Sequence, residues 1–158
     1  MKVVLDTSAI IYLNDFRSFE KMITVSEVIK EVKDRISSLK LSALNLKIIE
    51  PTLQSIREVK KIARKTGDLE KLSKTDLKIL ALAKETNFTI ISDDRNIQNV
   101  AEKMGIKYIS IFNKKITKLI IWKRFCKNCS KIFEKGRSCP ICGEKLVRIP
   151  VETKDLKK

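Results

Sequence analysis

The sequence predicts an α/β chain: a parallel sheet flanked by helices, followed by a small four-cysteine ribbon. Three observations carry this. Short apolar runs alternate with helical patterns along most of the chain, the order of a sheet covered by helices on both faces. All four cysteines fall within CKNCSKIFEKGRSCPIC, residues 126–142. Between the two patterns lies a polar, basic stretch, NKKITK, at 113–118.

The elements follow in order. Val3–Leu5 reads as a short buried strand, and Thr7 to Asn14 as a helix behind it. TVSEVIKEVKDR, 24–35, reads as a second helix with a capping box, Thr24 with Glu27 three residues on. Its apolar face is Val25, Val28, Ile29, Val32 and Ile36. Ser37–Leu46 continues as a short helix, and LKII, 46–49, is a strand stopped by Pro51. Thr52–Thr66 is helical, with Gly67 in the C-cap position. Ser73–Thr86 is another helix, opened by the capping box Ser73–Asp76. FTII, 88–91, is a buried strand; Arg95–Met104 is a helix ended by Gly105; IKYI, 106–109, is a last strand. The expected organisation is an α/β unit over 1–112, a basic linker over 113–121, a metal ribbon over 122–150 and a loose charged tail over 151–158.

Composition narrows the function. The chain has 158 residues, 43% hydrophobic and 34% charged, enough for one medium domain plus a small module with a packed core. It has no apolar run long enough to span a membrane and no signal-peptide pattern, so the cytoplasm is the expected compartment. The net charge is +15, and residues 114–158 hold 14 Lys and Arg against 4 Asp and Glu, +10 of it. Such a segment favours a polyanion, because neutralised phosphates release counterions; the plainer reading is a lysine-rich solvated surface.

The cysteine spacing, C-x2-C-x9-C-x2-C followed by Gly143, presents two close pairs on tight turns. Without histidine in the chain, the site is all sulfur: Cys126, Cys129, Cys139 and Cys142 around one structural zinc ion. Four protein ligands close the coordination sphere, so this zinc is not catalytic. A segment this short takes most of its folding energy from the metal. Around it stand Lys123, Arg124, Lys127, Lys131, Lys135, Arg137 and Lys145, interleaved with Trp122, Phe125 and Phe133. Charge for phosphates and flat rings for unstacked bases suit RNA; equally, the rings form the ribbon's small core.

Carboxylates gather at the other end of the reading. Ligands of an open parallel sheet bind beyond the carboxyl ends of its strands. Asp6 ends the first strand, and Ser92-Asp93-Asp94 follows FTII. Asp76 lies in the first turn of a nearly all-apolar helix. Each has an ordinary reading as a helix cap. Together they are a cluster that repels itself unless cations hold it, and hard oxygen ligands suit Mg²⁺ or Mn²⁺. In the second helix Glu27 projects about 160° and Glu31 about 120° from the apolar face, which makes Glu31 the better addition. A basic protein with an acidic pocket has the profile of a metal-dependent nuclease.

VVLDTSAII, VSEVIKEVKD, LSKTDLKILALAKE and TIISDDRNI together resemble the PIN-domain ribonucleases over about residues 1–112. With KTGDLEKLSKTDLKILALA, a basic linker and a four-cysteine ribbon, the chain is similar to the nin-one-binding (Nob-type) endonucleases, in the short form of the archaeal members. The resemblance implies catalytic acids at Asp6, Glu31, Asp76 and one of Asp93 or Asp94. Asp94 is preferred because Ser92-Asp93-Asp94 matches the family's Thr/Ser-x-Asp pattern. It implies one or two Mg²⁺ or Mn²⁺ ions held by Asp6, Asp76 and Asp94. The implied reaction is endonucleolytic hydrolysis of the small-subunit ribosomal RNA precursor at its 3′ end, leaving a 3′-hydroxyl and a 5′-phosphate. Thr7, Ser8 and Ser92 are second-rank groups for orienting a water or a phosphate. The implied partners are that precursor and the small ribosomal subunit. Two other functions are compatible: a toxin-like ribonuclease acting on other RNA, and a non-catalytic RNA-binding assembly factor. Histidine-based RNA cleavage is excluded, since there is no histidine.

Overall fold

The computed structural model describes residues 1–33, 35–112 and 115–156. The first unit runs β1 (Lys2–Leu5), α1 (Thr7–Tyr12), β2 (Lys21–Thr24), α2 (Ser26–Glu31), α3 (Arg35–Ala43), β3 (Leu46–Ile48), α4 (Leu53–Thr66), α5 (Lys74–Thr86), β4 (Thr89–Ile91), α6 (Arg95–Met104) and β5 (Tyr108–Ile109). The second runs β6 (Lys118–Phe125), β7 (Ile132–Phe133) and β8 (Val147–Asp155).

The first sheet is parallel throughout, in the order β3-β2-β1-β4-β5. Its central strands are apolar on both faces: Val3, Val4, Leu5, Ile90 and Ile91 are all buried. Helix α5 supplies Leu77, Ile79, Leu80 and Leu82 to the same core, as its all-round apolar sequence requires. The chain goes outward to β2 and β3 from one side of β1 and to β4 and β5 from the other. The carboxyl ends of β1 and β4 are therefore the switch point, where side chains project into a crevice between diverging connections.

The structure corrects the sequence reading in two places. Residues 24–35 are not one helix: Thr24 ends strand β2, its hydroxyl donating to the Leu5 carbonyl at 2.7 Å, and α2 starts only at Ser26. Its N-cap, Val25, makes no side-chain cap, so the Thr24–Glu27 capping box does not form. KMIT is short and runs without a turn signal into the apolar spacing of the next helix, which hides the strand. Asp34 of that stretch lies outside the described residues.

The second correction concerns the basic linker and the tail. Lys118–Phe125 pairs antiparallel with Val147–Asp155 from Lys118–Asp155 up to Phe125–Val147, with an irregularity at Ile121/Trp122. Strand thus begins inside the expected linker, and the expected loose tail is strand as far as Asp155. Alternation of charge along VETKD conceals a ribbon whose partner supplies the regularity. Asn113 and Lys114 of the linker and Lys157 and Lys158 of the tail lie outside the described residues.

The ribbon's base docks on the α/β unit. Asn99 of α6 donates to the Ile120 carbonyl (2.8 Å) and accepts from the Ile120 amide (2.9 Å). Asp68, fully buried, accepts from Asn99 (2.7 Å) and from the Arg148 guanidinium, which lies 4.2 Å over the Trp122 ring. Gly67 caps α4 at φ +74, and a Cβ there would lie 2.2 Å from the Trp122 carbonyl oxygen. Only glycine gives both the left-handed turn and the close approach.

Candidate metal centres and nucleic-acid interface

Four acids come to the switch point from four different elements. Asp6 follows β1, caps α1, and is only 8% exposed. Its carboxylate accepts from the Ala9 amide (2.7 Å) and the Ser8 hydroxyl (2.8 Å), with Ser92 as a further donor. Burial holds its pKa above the ordinary value; the Ser92, Ala9 and Ser8 donors oppose this, and the charge of Asp76 adds to it. Asp76 sits in the first turn of α5, in a complete capping box: its Oδ2 accepts from the Ser73 amide at 2.7 Å, and its own amide donates to Ser73 Oγ. Burial raises its pKa too; the Ser73 bonds oppose this, and the charges of Asp94 and Glu31 reinforce it.

Asp94 caps α6, its Oδ1 accepting from the Asn96 amide (2.6 Å), the Asn96 side chain (3.0 Å) and the Ile97 amide (3.4 Å). Glu31, last residue of α2, accepts from the hydroxyls of Thr7 and Thr75, the latter at 2.6 Å, and so ties α2 to the starts of α1 and α5. Thr75 was not singled out by the sequence; a polar residue in the first turn of a buried helix, next to Asp76, is the signal that marks it.

Asp6, Asp76, Asp94 and Glu31 are thus brought together. Among the described residues none of them is ion-paired with a lysine or arginine. Glu27 differs: it pairs with Lys78 at 2.6 Å, and it forms no capping box with Thr24. Asp93 also differs. Its carboxylate turns to the end of β5, accepting from the Ser110 hydroxyl and the amides of Ile111 (2.8 Å) and Phe112 (3.2 Å). The oxygen-only, anion-rich donor set fits a hard divalent cation. Among the described residues the four cysteines are the one group of three or more that brings its ligand atoms within 4.8 Å of one another, and the carboxylates lie farther apart.

Those sulfurs are spaced for a metal. Cys126 and Cys142 are 3.4 Å apart, Cys129 and Cys139 3.5 Å, Cys129 and Cys142 4.0 Å. Tetrahedral zinc thiolate demands about 3.8 Å, so the cluster fits a zinc ion. The Cys129 amide points at the Cys126 sulfur (3.5 Å). Burial works against the Cys139 thiolate, but the amides of Cys142 and Ile141 and the neighbouring thiols outweigh it and bring its pKa down to about 6. Leu146 is buried beside the cluster and Phe133 packs against it, so that ring belongs to the ribbon's core. Trp122 is stacked under Arg148.

Lys127, Lys131, Lys135, Arg137 and Lys145 are exposed around the ribbon, and Lys123 is half-buried. Arg124 instead pairs with Glu70 of the α4–α5 connection. A cleft of about 470 Å³ opens there, lined by Lys71, Arg124, Arg137 and Lys145 among others. Among the described residues no helix is long and apolar enough to cross a membrane.

Residues 3–86 match the family described as the PIN domain of ribonuclease. Endoribonuclease Nob1 of Archaeoglobus fulgidus is 38% identical, the match covering 91% of this chain and 88% of that protein. Endoribonuclease Nob1 of Pyrococcus abyssi is 39% identical, over 95% and 94%. Ribonuclease VapC1 of Thermoplasma acidophilum is 36% identical, over 94% and 78%.

Proposed function

The chain belongs to the PIN-domain ribonucleases, among the Nob1 endoribonucleases, and from that premise we propose a divalent-metal-dependent endoribonuclease that matures the 3′ end of the small-subunit ribosomal RNA precursor. The observation that carries the chemistry is the cluster of Asp6, Glu31, Asp76 and Asp94, which feel one another's charge and are paired with no cation among the described residues. Asp6, Asp76 and Asp94 hold one or two Mg²⁺ or Mn²⁺ ions, and Glu31 is a further ligand or orients water. When bound, such an ion supplies a nucleophile from water near neutral pH and positive charge against the departing oxygen. Thr7 and Thr75 fix the rotamer of Glu31, and Ser92 and Ser8 fix that of Asp6. With no histidine to act through the 2′-hydroxyl, hydrolysis leaves a 3′-hydroxyl and a 5′-phosphate.

Residues 1–112 form the nuclease unit in this reading, and 122–150 a ribbon with one structural zinc on Cys126, Cys129, Cys139 and Cys142. The ribbon does no chemistry. Its exposed lysines grip the RNA and the small subunit, in a reducing cytoplasm that keeps the thiols available.

The test is cleavage of an RNA spanning the mature 3′ end and its downstream spacer, with Mn²⁺ or Mg²⁺ and Asp6→Asn beside wild type. One cut at the mature end, lost in the variant while binding persists, is expected. Full turnover by Asp6→Asn would sink the acid-site assignment. A second reading, a ribonuclease acting on another RNA, draws on the similarity to ribonuclease VapC1, and scattered cuts would favour it.

A further inference from the structure

Two exposed aromatic rings meet at the C-terminal end of α1 and the turn after β5. Tyr12 is 52% exposed and Phe112 68%, and they meet edge to face, centroids 5.3 Å apart at 71°. Such a pair uses one face of one ring only and leaves the other faces open. Large exposed apolar groups in contact with each other mark a binding surface more than scattered ones do.

Tyr12 sits on an element that carries one of the acids, and Phe112 on a turn bonded to the neighbour of another. Tyr12 ends α1, the helix that Asp6 caps. Lys40 clamps that end, its Nζ donating to the carbonyls of Ile11 (3.0 Å) and Leu13 (3.4 Å). Phe112 follows β5, and its amide is held by the Asp93 carboxylate, one residue before Asp94. The backbones under both rings are anchored before any ligand arrives, which lowers the cost of binding.

We propose that Tyr12 and Phe112 are a stacking platform for an unpaired base of the RNA strand next to the phosphate addressed by the acid cluster. The proposal rests on the nuclease reading above and deepens it. It also divides the doubled aspartate: Asp94 faces the acids, while Asp93 holds the turn that presents Phe112. A flat, sequence-tolerant π surface beside a hydrolytic site selects single-stranded RNA, because a paired base keeps its faces within its own helix.

The test uses the full-length, zinc-loaded protein in an Asp6→Asn background, with single-stranded RNA carrying 2-aminopurine at each position flanking the cut in turn. Quenching at one position is expected, with affinity falling about tenfold in Phe112→Ala and in Tyr12→Ala and held in Phe112→Trp. Replacing that base by an abasic site is expected to cost the same factor in the parent protein and nothing further in the alanine variants. Equal affinity and equal quenching in a Tyr12→Ala/Phe112→Ala double variant would overturn the platform. Failure of the nuclease reading shows separately: wild type that cuts nothing in any metal while the positional quench persists upholds the platform and removes the chemistry.

Discussion

Burial raises the pKa of Asp6 and of Asp76 in the metal-free protein, against the hydrogen bonds each receives. A carboxylate raised above its unfolded value of 3.8 contributes stability that is fully present below that value and is lost as pH rises through its folded value. Thermal melts without divalent ions should therefore show a decline from these two groups as pH climbs through and beyond the ordinary carboxylate range, flattened in Asp6→Asn. Mn²⁺ should raise the neutral-pH Tm of wild type and leave that of Asp6→Asn unchanged; an equal rise in both would remove Asp6 from the site. Asp6, Asp76 and Asp94 are legible as neighbours because strand ends and helix starts are legible, whereas Glu31, the last residue of α2, is reached only by its angle on a helix and by the family resemblance. Asp93 against Asp94 was not, since two adjacent carboxylates at a strand end differ only in the direction each side chain leaves the turn. Thr75 was missed because its partner, Glu31, is 44 residues away.

At the level of elements, the helices announced themselves through their ends. Thr52 and Gly67 bound α4, Ser73 and Asp76 open α5, and Gly105 closes α6, each by the capping chemistry its residue type offers. Strand β2 and the end of β8 have no such punctuation. Their regularity comes from neighbours far along the chain, and a single-sequence period cannot register it. Docking of the ribbon on the α/β unit was invisible for the same reason, though it rests on ordinary residues, Gly67, Asp68 and Asn99 against Ile120, Trp122 and Arg148. Gly67→Ala should cost about 1–2 kcal/mol for the left-handed backbone alone. The clash with the Trp122 carbonyl adds to that, and urea melts will measure the sum. Asn99→Ala removes both partners of Ile120 and one of Asp68; a loss of about 1–3 kcal/mol for each group left unsatisfied is expected. Wild-type stability in Asn99→Ala would mean the ribbon's base is not anchored there.

Across the whole molecule charge is segregated: Asp6, Asp76 and Asp94 gather at one edge of the parallel sheet, while residues 114–158 hold +10 of the net +15. On the zinc-ribbon reading, a chelator should unfold residues 126–146, whose own core is little more than Leu146 and Phe133, and leave the parallel sheet folded. Cutting of a short single-stranded RNA should then survive at reduced affinity, read as a raised KM with kcat nearly kept. Lys127→Glu with Lys131→Glu should lower the slope of log affinity against log salt by about 0.7 for each phosphate no longer neutralised. An unchanged slope would place the RNA elsewhere on the surface.

On the proposed function the capping acids serve twice, and this has a consequence for inheritance. Helix starts at 7 and 95 need a capping oxygen whether or not RNA is ever cut, and asparagine or serine meets that need as well as aspartate. Position 31 caps nothing, and glutamine would keep one hydroxyl bond as acceptor and could hold the other only by donating its amide to that threonine oxygen. In a lineage of such chains released from catalysis, folding alone would hold positions 6 and 94 only to aspartate, asparagine or serine, and would let position 31 drift to an amide. On the proposed function, a carboxylate kept at 6, 31 or 94 where an uncharged residue would serve the fold is the fossil of selection for cutting.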